Sequence, residues 1–303
     1  MGIKDLTKYF NDNCSEKAIN KNHLVKYRGK TIVVDTSIYM YKFKTYDRLV
    51  TNMRKMITIL LKYNITPLFI FDGKPTAEKN ATRLERYRVR RNAESKYYQI
   101  QVELDNLRAL GESPYTDEIE RLQKQQEIVR KQFVRVTHED NSSVKDLLTS
   151  YNIKYIIAHG EADRLCVELV HMGKAWACLS DDMDMFVYGC PRVMRHISLR
   201  DDTVIFYDTN KILHEIGVDL PLFRKMIILT GTDYNKSVNV DLLESSNWIM
   251  EYKKSTNEED FYDWINTKIK DGIVIDLTIL KKTYNLFCLG EENRYISDAN
   301  NDP

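Results

Sequence analysis

The 303-residue chain carries 45 Lys and Arg against 44 Asp and Glu, a net charge of +1. That balance excludes a uniformly basic nucleic-acid wrapper, so any binding of a polyanion requires positive charge on one face and negative charge gathered in a site. Five scattered cysteines (Cys14, Cys166, Cys178, Cys190 and Cys288) without a CxxC pair exclude a disulfide framework and a zinc site, and point to a reducing, intracellular compartment.

The N-terminus MGIKDLTKYF lacks the apolar run of a signal peptide, and Leu6 stands where a myristoylation motif after Gly2 needs Ser or Thr. No 18-residue apolar stretch follows, so a soluble protein of the nucleus or cytoplasm is expected. Strands are predicted at Thr31–Asp35, Pro67–Asp72, Ile153–Ile157 and Ala175–Ser180, with a later pair, Arg192–Ile197 and Thr203–Tyr207, around the polar turn Ser198–Asp202. Helices are predicted over Ser37–Lys62, Ala77–Leu110, Thr116–Val134, Glu139–Tyr151, Glu161–Met172 and Leu220–Leu229, the last with Asp219 as N-cap and Pro221 in its first turn. Alternation of strand and helix implies an α/β fold with a largely parallel sheet. Residues 77–134, rich in Arg, Lys, Glu and Gln and broken at Gly111-Glu112-Ser113-Pro114, are read as two long polar helices projecting from the sheet. The tail from Glu291 has the composition of a frayed end.

Two predicted strands end on an acid, Asp35 and Asp72, where ligands of open parallel sheets bind. A third runs into Asp181-Asp182-Met183-Asp184, and Ile153–Ile157 is followed by Glu161 and Asp163 in the first turn of a helix. Leu229-Thr230-Gly231-Thr232-Asp233 closes the set. Singly, each acid has a plain explanation as a helix cap, a dipole partner or a solvated turn. Together they place seven carboxylates at the ends of buried elements, a charge that calls for hard divalent cations with oxygen ligands. Magnesium fits best, and two such ions are the known arrangement for phosphodiester hydrolysis.

In order and spacing, MGI, VVDTSIYMYKF, FIFDGKP, GEADRLC, SDDMDMFVYG, VMRH and ILTGTDYN resemble the flap endonuclease family of XPG-type, structure-specific 5′ nucleases, in a eukaryote-like form, over residues 1–235. The resemblance implies a PIN-like α/β fold, with a mixed, largely parallel central sheet flanked by helices and a helical arch or cap. One nuclease domain over 1–290 is expected, divided into 1–110 with a gateway helix, a cap helix over 111–137, an internal region over 138–240 and a helical part over 241–290, with a flexible tail over 291–303. The resemblance implies two Mg2+ ions, replaceable by Mn2+, held among Asp35, Asp72, Glu161, Asp163, Asp182, Asp184 and Asp233. Asp163 departs from the eukaryote-like Glu and matches the bacterial and phage form.

The same resemblance gives work to the basic segment. Between Lys74 and Lys96 stand eight Lys or Arg against three Glu. Lys79 and Arg86, seven residues or two helical turns apart, share a face and match gateway positions that contact the scissile phosphate. With Asp35 and Asp182 they form the expected catalytic group. Further DNA contacts are expected at Gly2, Tyr41 (stacking on a base, or else a core aromatic), Lys74, Arg83, Arg90, Arg192, Arg195 and Lys236.

The implied activity is cleavage of 5′ flaps with 5′-to-3′ exonuclease action in DNA replication and repair, by a monomer whose partner is DNA with a 5′ flap or free 5′ end. Two alternatives stand beside it: a related nuclease for other junctions, recombination ends or RNA, and a non-catalytic DNA-binding scaffold. The segment Tyr234–Asp241 lacks the glycine pair of the family's duplex-gripping hairpin, which leaves either a grip rebuilt from Lys225, Lys236, Lys253 and Lys254 or a weak one. No sliding-clamp peptide is recognisable at the C-terminus.

Overall fold

The computed structural model describes residues 3, 5–74, 79–111, 113–235, 240–255, 259–268 and 276–289. Seven strands form one sheet in the order β1-β7-β6-β5-β2-β3-β4. They are β1 (Ile19–His23), β2 (Thr31–Asp35), β3 (Thr66–Phe71), β4 (Tyr155–Ile157), β5 (Ala177–Leu179), β6 (Arg192–Ser198) and β7 (Thr203–Asp208). The five strands from β6 to β4 run parallel, and β7 and β1 add antiparallel pairs at one edge.

β2 lies inside the sheet, between β5 and β3, because Ile-Val-Val suits a strand covered on both faces. Its side chains alternate between two cores: Val33 joins the one packed under α1 (Leu6–Asn13), α7 (Ala162–His171) and α10 (Leu220–Leu229), while Ile32 and Val34 join the other. That second core lies under α2 (Thr36–Lys44), α3 (Leu49–Lys62) and α6 (His138–Ser150). In α3, Leu49, Met53, Met56, Ile57 and Leu60 fall on one helical stripe and are buried. α6 opens with a capping box between Thr137 and Asp140, and Asp219 caps α10 by accepting from the Leu222 N–H at 2.9 Å. The short α8 (Asp184–Val187) and α9 (Thr209–Glu215) follow β5 and β7. The C-terminal part is α11 (Leu242–Lys254), α12 (Phe261–Lys268) and α13 (Leu277–Phe287).

The structure revises several predicted elements. The single helix expected over Ser37–Lys62 is two, parted at Thr45–Arg48, where Asp47 adopts φ 53 and reverses the chain. β1 was not foreseen, because Ile-Asn-Lys-Asn-His offers no apolar alternation and is recruited only by backbone pairing with β7. β3 and β5 stop one residue short of Asp72 and Ser180, although the Ser180 N–H still donates to the Met194 carbonyl at 3.1 Å. Among the two polar helices, α4 (Asn80–Ala109) and α5 (Thr116–Arg130) pair with each other rather than with the sheet.

The α4–α5 pair has a core of its own: Ala93, Ile100, Leu104, Ile119, Leu122 and Val129 are buried, with Tyr97, Leu107 and Phe133 packed against them. Its returning end is tied to the break between α2 and α3, where Arg130 donates to Asp47 at 2.7 Å and to the Thr45 carbonyl at 3.3 Å. Lys131 lies 5.0 Å over the Tyr46 ring. Leu104→Ala should therefore remove about 2–5 kcal/mol from this hairpin. Amide hydrogen exchange should accelerate across α4 and α5 while the central strands keep their protection; uniform loss of protection would contradict a separate core.

Candidate functional site

The acids converge because the parallel strands deliver them to one edge. Asp35 ends β2, and its carboxylate accepts from the Ser180 hydroxyl at 2.8 Å, just beyond β5. Ser180 also accepts from the Asp182 N–H at 3.1 Å, so one hydroxyl ties two acidic segments together. Asp72 leaves β3 and accepts from the Ala162 N–H at 2.8 Å, capping α7. Gly73 donates to the Gly160 carbonyl at 2.7 Å, and a Cβ there would stand 1.8 Å from the Ala158 oxygen. Only glycine allows that approach, and it brings Asp72 beside Glu161 and Asp163. Asp184 opens α8, its N–H donating to Asp182 at 3.1 Å. Gly231, at φ 89, ends α10 and turns Thr232 and Asp233 back; Asn235 fixes the turn by accepting from Thr232 and donating to the Ile228 carbonyl at 2.7 Å.

All seven predicted acids belong to one network of repulsion. Burial, then Asp72, Asp163 and Asp182, raise Asp35 well above the usual carboxylate range, with the Ser180 hydrogen bond opposing. Burial raises Asp163 to about 7; Lys79 opposes this, and Glu161 and Asp182 add to it. Asp184 is raised by burial, then by Asp182, Asp163 and Asp233, again against Lys79. Asp35, Asp163 and Asp184 are 6%, 9% and 3% exposed, so solvent does little to relieve them. Among the described residues, no three of these side chains close into a ready-made cation cage. The donor set is nevertheless all oxygen and in excess of its counter-charge, which fits a hard divalent cation and no softer one.

Both expected gateway bases reach this cluster. Lys79 lies 2.7 Å from Glu161, 4.0 Å from Asp163 and 4.8 Å over the Tyr234 ring. Burial works against its charge, but Asp163, Tyr234 and Glu161 outweigh that and hold the ammonium protonated. Arg86 pairs with Asp233, and Thr82 between them donates to the Asp233 carbonyl. Tyr41 belongs to neither core; it is half-buried on the outer side of α2, with the Arg90 guanidinium 5.6 Å over its ring. Lys74 and Arg83 are exposed. Gly2, Lys236 and the tail from Glu291 lie outside the described residues.

Of the two arginines expected to contact DNA from β6, Arg195 is an internal strut instead, whereas Arg192 stays partly exposed. Arg195 is 4% exposed, donates to the Asp181 carbonyl at 2.9 Å and lies over Tyr207. Arg192 donates from Nε to the Trp176 carbonyl at 2.5 Å and stacks on that indole. Both sit on β6, Arg195 buried among its partners and Arg192 half-buried beside Trp176. Lys225 is paired with Asp260 at 2.5 Å and Lys253 donates to the Gly217 carbonyl, while Lys254 is exposed.

Sequence reasoning passed over Ser180, Asp181 and Tyr234. Asp181 is turned away from the other acids to Lys42 at 2.7 Å and the His196 N–H at 2.7 Å. Burial works to raise its pKa, but those partners hold it below the usual range. Tyr234 donates to Glu161 at 2.7 Å and meets the Tyr188 hydroxyl at 3.1 Å. Its place directly after Asp233 was the available signal.

Comparison with known proteins agrees with this geometry. Residues 1–94 match the XPG N-terminal domain and residues 152–233 the XPG I-region. Flap endonuclease 1 of Homo sapiens is 28% identical over 277 residues, covering 83% of this chain and 68% of that protein. Flap endonuclease 1 of Zea mays is 31% identical, covering 78% and 63%, and that of Glycine max is 29% identical over the same shares. The chain thus spans slightly under two thirds of the length of the plant relatives. Among solved structures, the catalytic core of Rad2 in complex with a DNA substrate aligns with TM-score 0.66 at 20% identity, covering 98% of this chain and 88% of that one. Flap endonuclease-1 from Methanococcus jannaschii aligns with TM-score 0.52 at 22% identity, covering 89% and 96%. With both XPG regions matched in order over more than half of its length, and the acids of both drawn to one edge of the sheet, the chain belongs to the XPG-type family of 5′ nucleases.

Proposed function

We propose that the protein is a structure-specific 5′ flap endonuclease with 5′-to-3′ exonuclease action, hydrolysing DNA phosphodiesters in replication and repair. The observation that carries this reading is the arrival of Lys79 and Arg86, from the base of a helical hairpin, at a cluster of seven carboxylates. Asp35, Asp72, Glu161, Asp163, Asp182, Asp184 and Asp233 would hold two magnesium ions, or manganese in their place, as the all-oxygen donor set and its surplus negative charge favour. Bound there, such ions supply an acidified water and offset charge on the oxygens exchanged at phosphorus.

The protein's own part is positioning and electrostatics. A scissile phosphate at the acid cluster meets Lys79 and Arg86, whose fixed charges favour the more negative transition state over the ground state. Arg90 and Tyr41 offer a cation and a ring face near the foot of the hairpin, suited to a backbone phosphate and an unpaired base. A 5′ end led under the α4–α5 arch would be selected by its being free and single-stranded, without reading of sequence.

Two outcomes are expected of substitutions at the site. Asp182→Asn should abolish magnesium-dependent cutting of an end-labelled 5′-flap DNA while binding of that DNA in EDTA persists. Tight binding without cutting by the unaltered protein, on flap, nicked, gapped and single-stranded substrates alike, would favour the scaffold reading. Arg86→Ala should lower single-turnover cleavage by about 10²–10³; a loss under threefold would remove Arg86 from the transition state.

Protons and cations compete for the same carboxylates. Asp163 rises from 3.8 to about 7 on folding, so the stability it contributes is complete below the unfolded value and lost as pH climbs through the folded one. Magnesium should accordingly raise the melting temperature more at about pH 8 than at about pH 5. Equal shifts at both would separate Asp163 from the cation.

A further inference from the structure

Beyond the acids and the gateway bases, the site has a buried aromatic support that reaches the C-terminal helix. Tyr234 spends its one proton on Glu161 at 2.7 Å, so at 3.1 Å the Tyr188 hydroxyl is the donor to Tyr234. The chain of donors therefore runs from Tyr188 through Tyr234 to the Glu161 carboxylate. Behind them stands Phe287, fully buried in the last turn of α13, with its ring centroid 4.8 Å from that of Tyr188 and 5.3 Å, edge-on, from that of Tyr234. The same Tyr234 ring carries Lys79 at 4.8 Å on its face. One side chain thus sets a carboxylate and a gateway base, and is itself set by a residue 53 positions further along the chain.

We propose that Tyr234 is a positioning residue that aims Glu161 at its cation, and that Phe287 of α13 holds Tyr234 in place, so that the C-terminal helix governs cation affinity at a site built by the N-terminal and internal regions. The inference rests on the divalent-cation nuclease reading above. A hydrogen bond to a charged acceptor is among the stronger ones, and loss of a group that orients a metal ligand typically costs 10–100-fold in metal affinity or activity. Phe287 touches no acid in this set; it acts through the two rings.

The test compares the intact protein with Tyr234→Phe, which keeps the ring under Lys79 and removes only the hydroxyl, and with Phe287→Leu. Manganese binding is measured by calorimetry without DNA, and the magnesium midpoint for flap cleavage is read separately. Tyr234→Phe should weaken manganese binding and raise the magnesium midpoint about tenfold. Its melting temperature in EDTA should fall with the lost hydrogen bond, while its affinity for flap DNA in EDTA stays unchanged and its rate recovers at saturating magnesium. Phe287→Leu should move both cation readouts in the same direction by about threefold, with DNA affinity kept. A purely structural role for these rings predicts lower melting temperatures with unchanged cation midpoints, and that result would overturn the proposal, as would a Tyr234→Phe midpoint within about twofold of the parent. If the parent cuts no DNA, the nuclease reading fails; the calorimetry still decides whether Tyr234 tunes cation binding.

Discussion

Seven carboxylates drawn to one sheet edge repel one another, and much of the surrounding structure is arranged to contain that repulsion. Three of them, Asp35, Asp163 and Asp184, are buried, where an unpaired charge costs several kcal/mol. The strands cannot avoid assembling them, because parallel order fixes where every strand ends. The counter-measures come from elsewhere in the chain: a hydroxyl from Ser180, an amide from the start of α7, an ammonium from Lys79 and a guanidinium from Arg86. Chemistry and folding thus press on the same atoms. The proton, the lysine and a divalent cation are three answers to one electrostatic problem, and which of them prevails depends on pH and on what is bound.

The arch is organised on the opposite principle. α4 and α5 bury a modest core between themselves and leave most of their length to solvent, so little of the main hydrophobic interior depends on them. At one foot Thr82 and Arg86 reach Asp233 and Arg90 lies over Tyr41 of α2, and at the other Arg130 and Lys131 meet the break between α2 and α3. The hairpin and the acid cluster are therefore built from different parts of the chain, which join where the charged heads of the first foot enter the acids.

The α/β frame and the acids were legible because each rests on a local pattern: an apolar β-branched run closed by Asp35, an aromatic one closed by Asp72, and the Asp182–Asp184 spacing beside a strand. What escaped has no local signature. β1 is polar and exists through its pairing with β7. The break after α2 depends on Asp47 in a left-handed conformation, in a stretch without Gly or Pro to announce it. Arg195 looks like a surface cation in the sequence, and only the three-dimensional partners Asp181, Thr7 and Tyr207 show why it is inside. Tyr234 finds Glu161 from 73 positions away, a contact no spacing rule encodes. Local chemistry is readable from the chain, whereas the supports of that chemistry arise from closure of the fold.

The length of α4 gives the arch the mechanics of a lever. Thirty residues extend roughly 45 Å, and Arg86 sits only roughly 9 Å along that axis from Asn80. A tilt about the base that sweeps the far tip through roughly 10 Å displaces the Arg86 end by roughly 2 Å. Large excursions at the far end of the hairpin are thereby geared down to small adjustments beside the acid cluster.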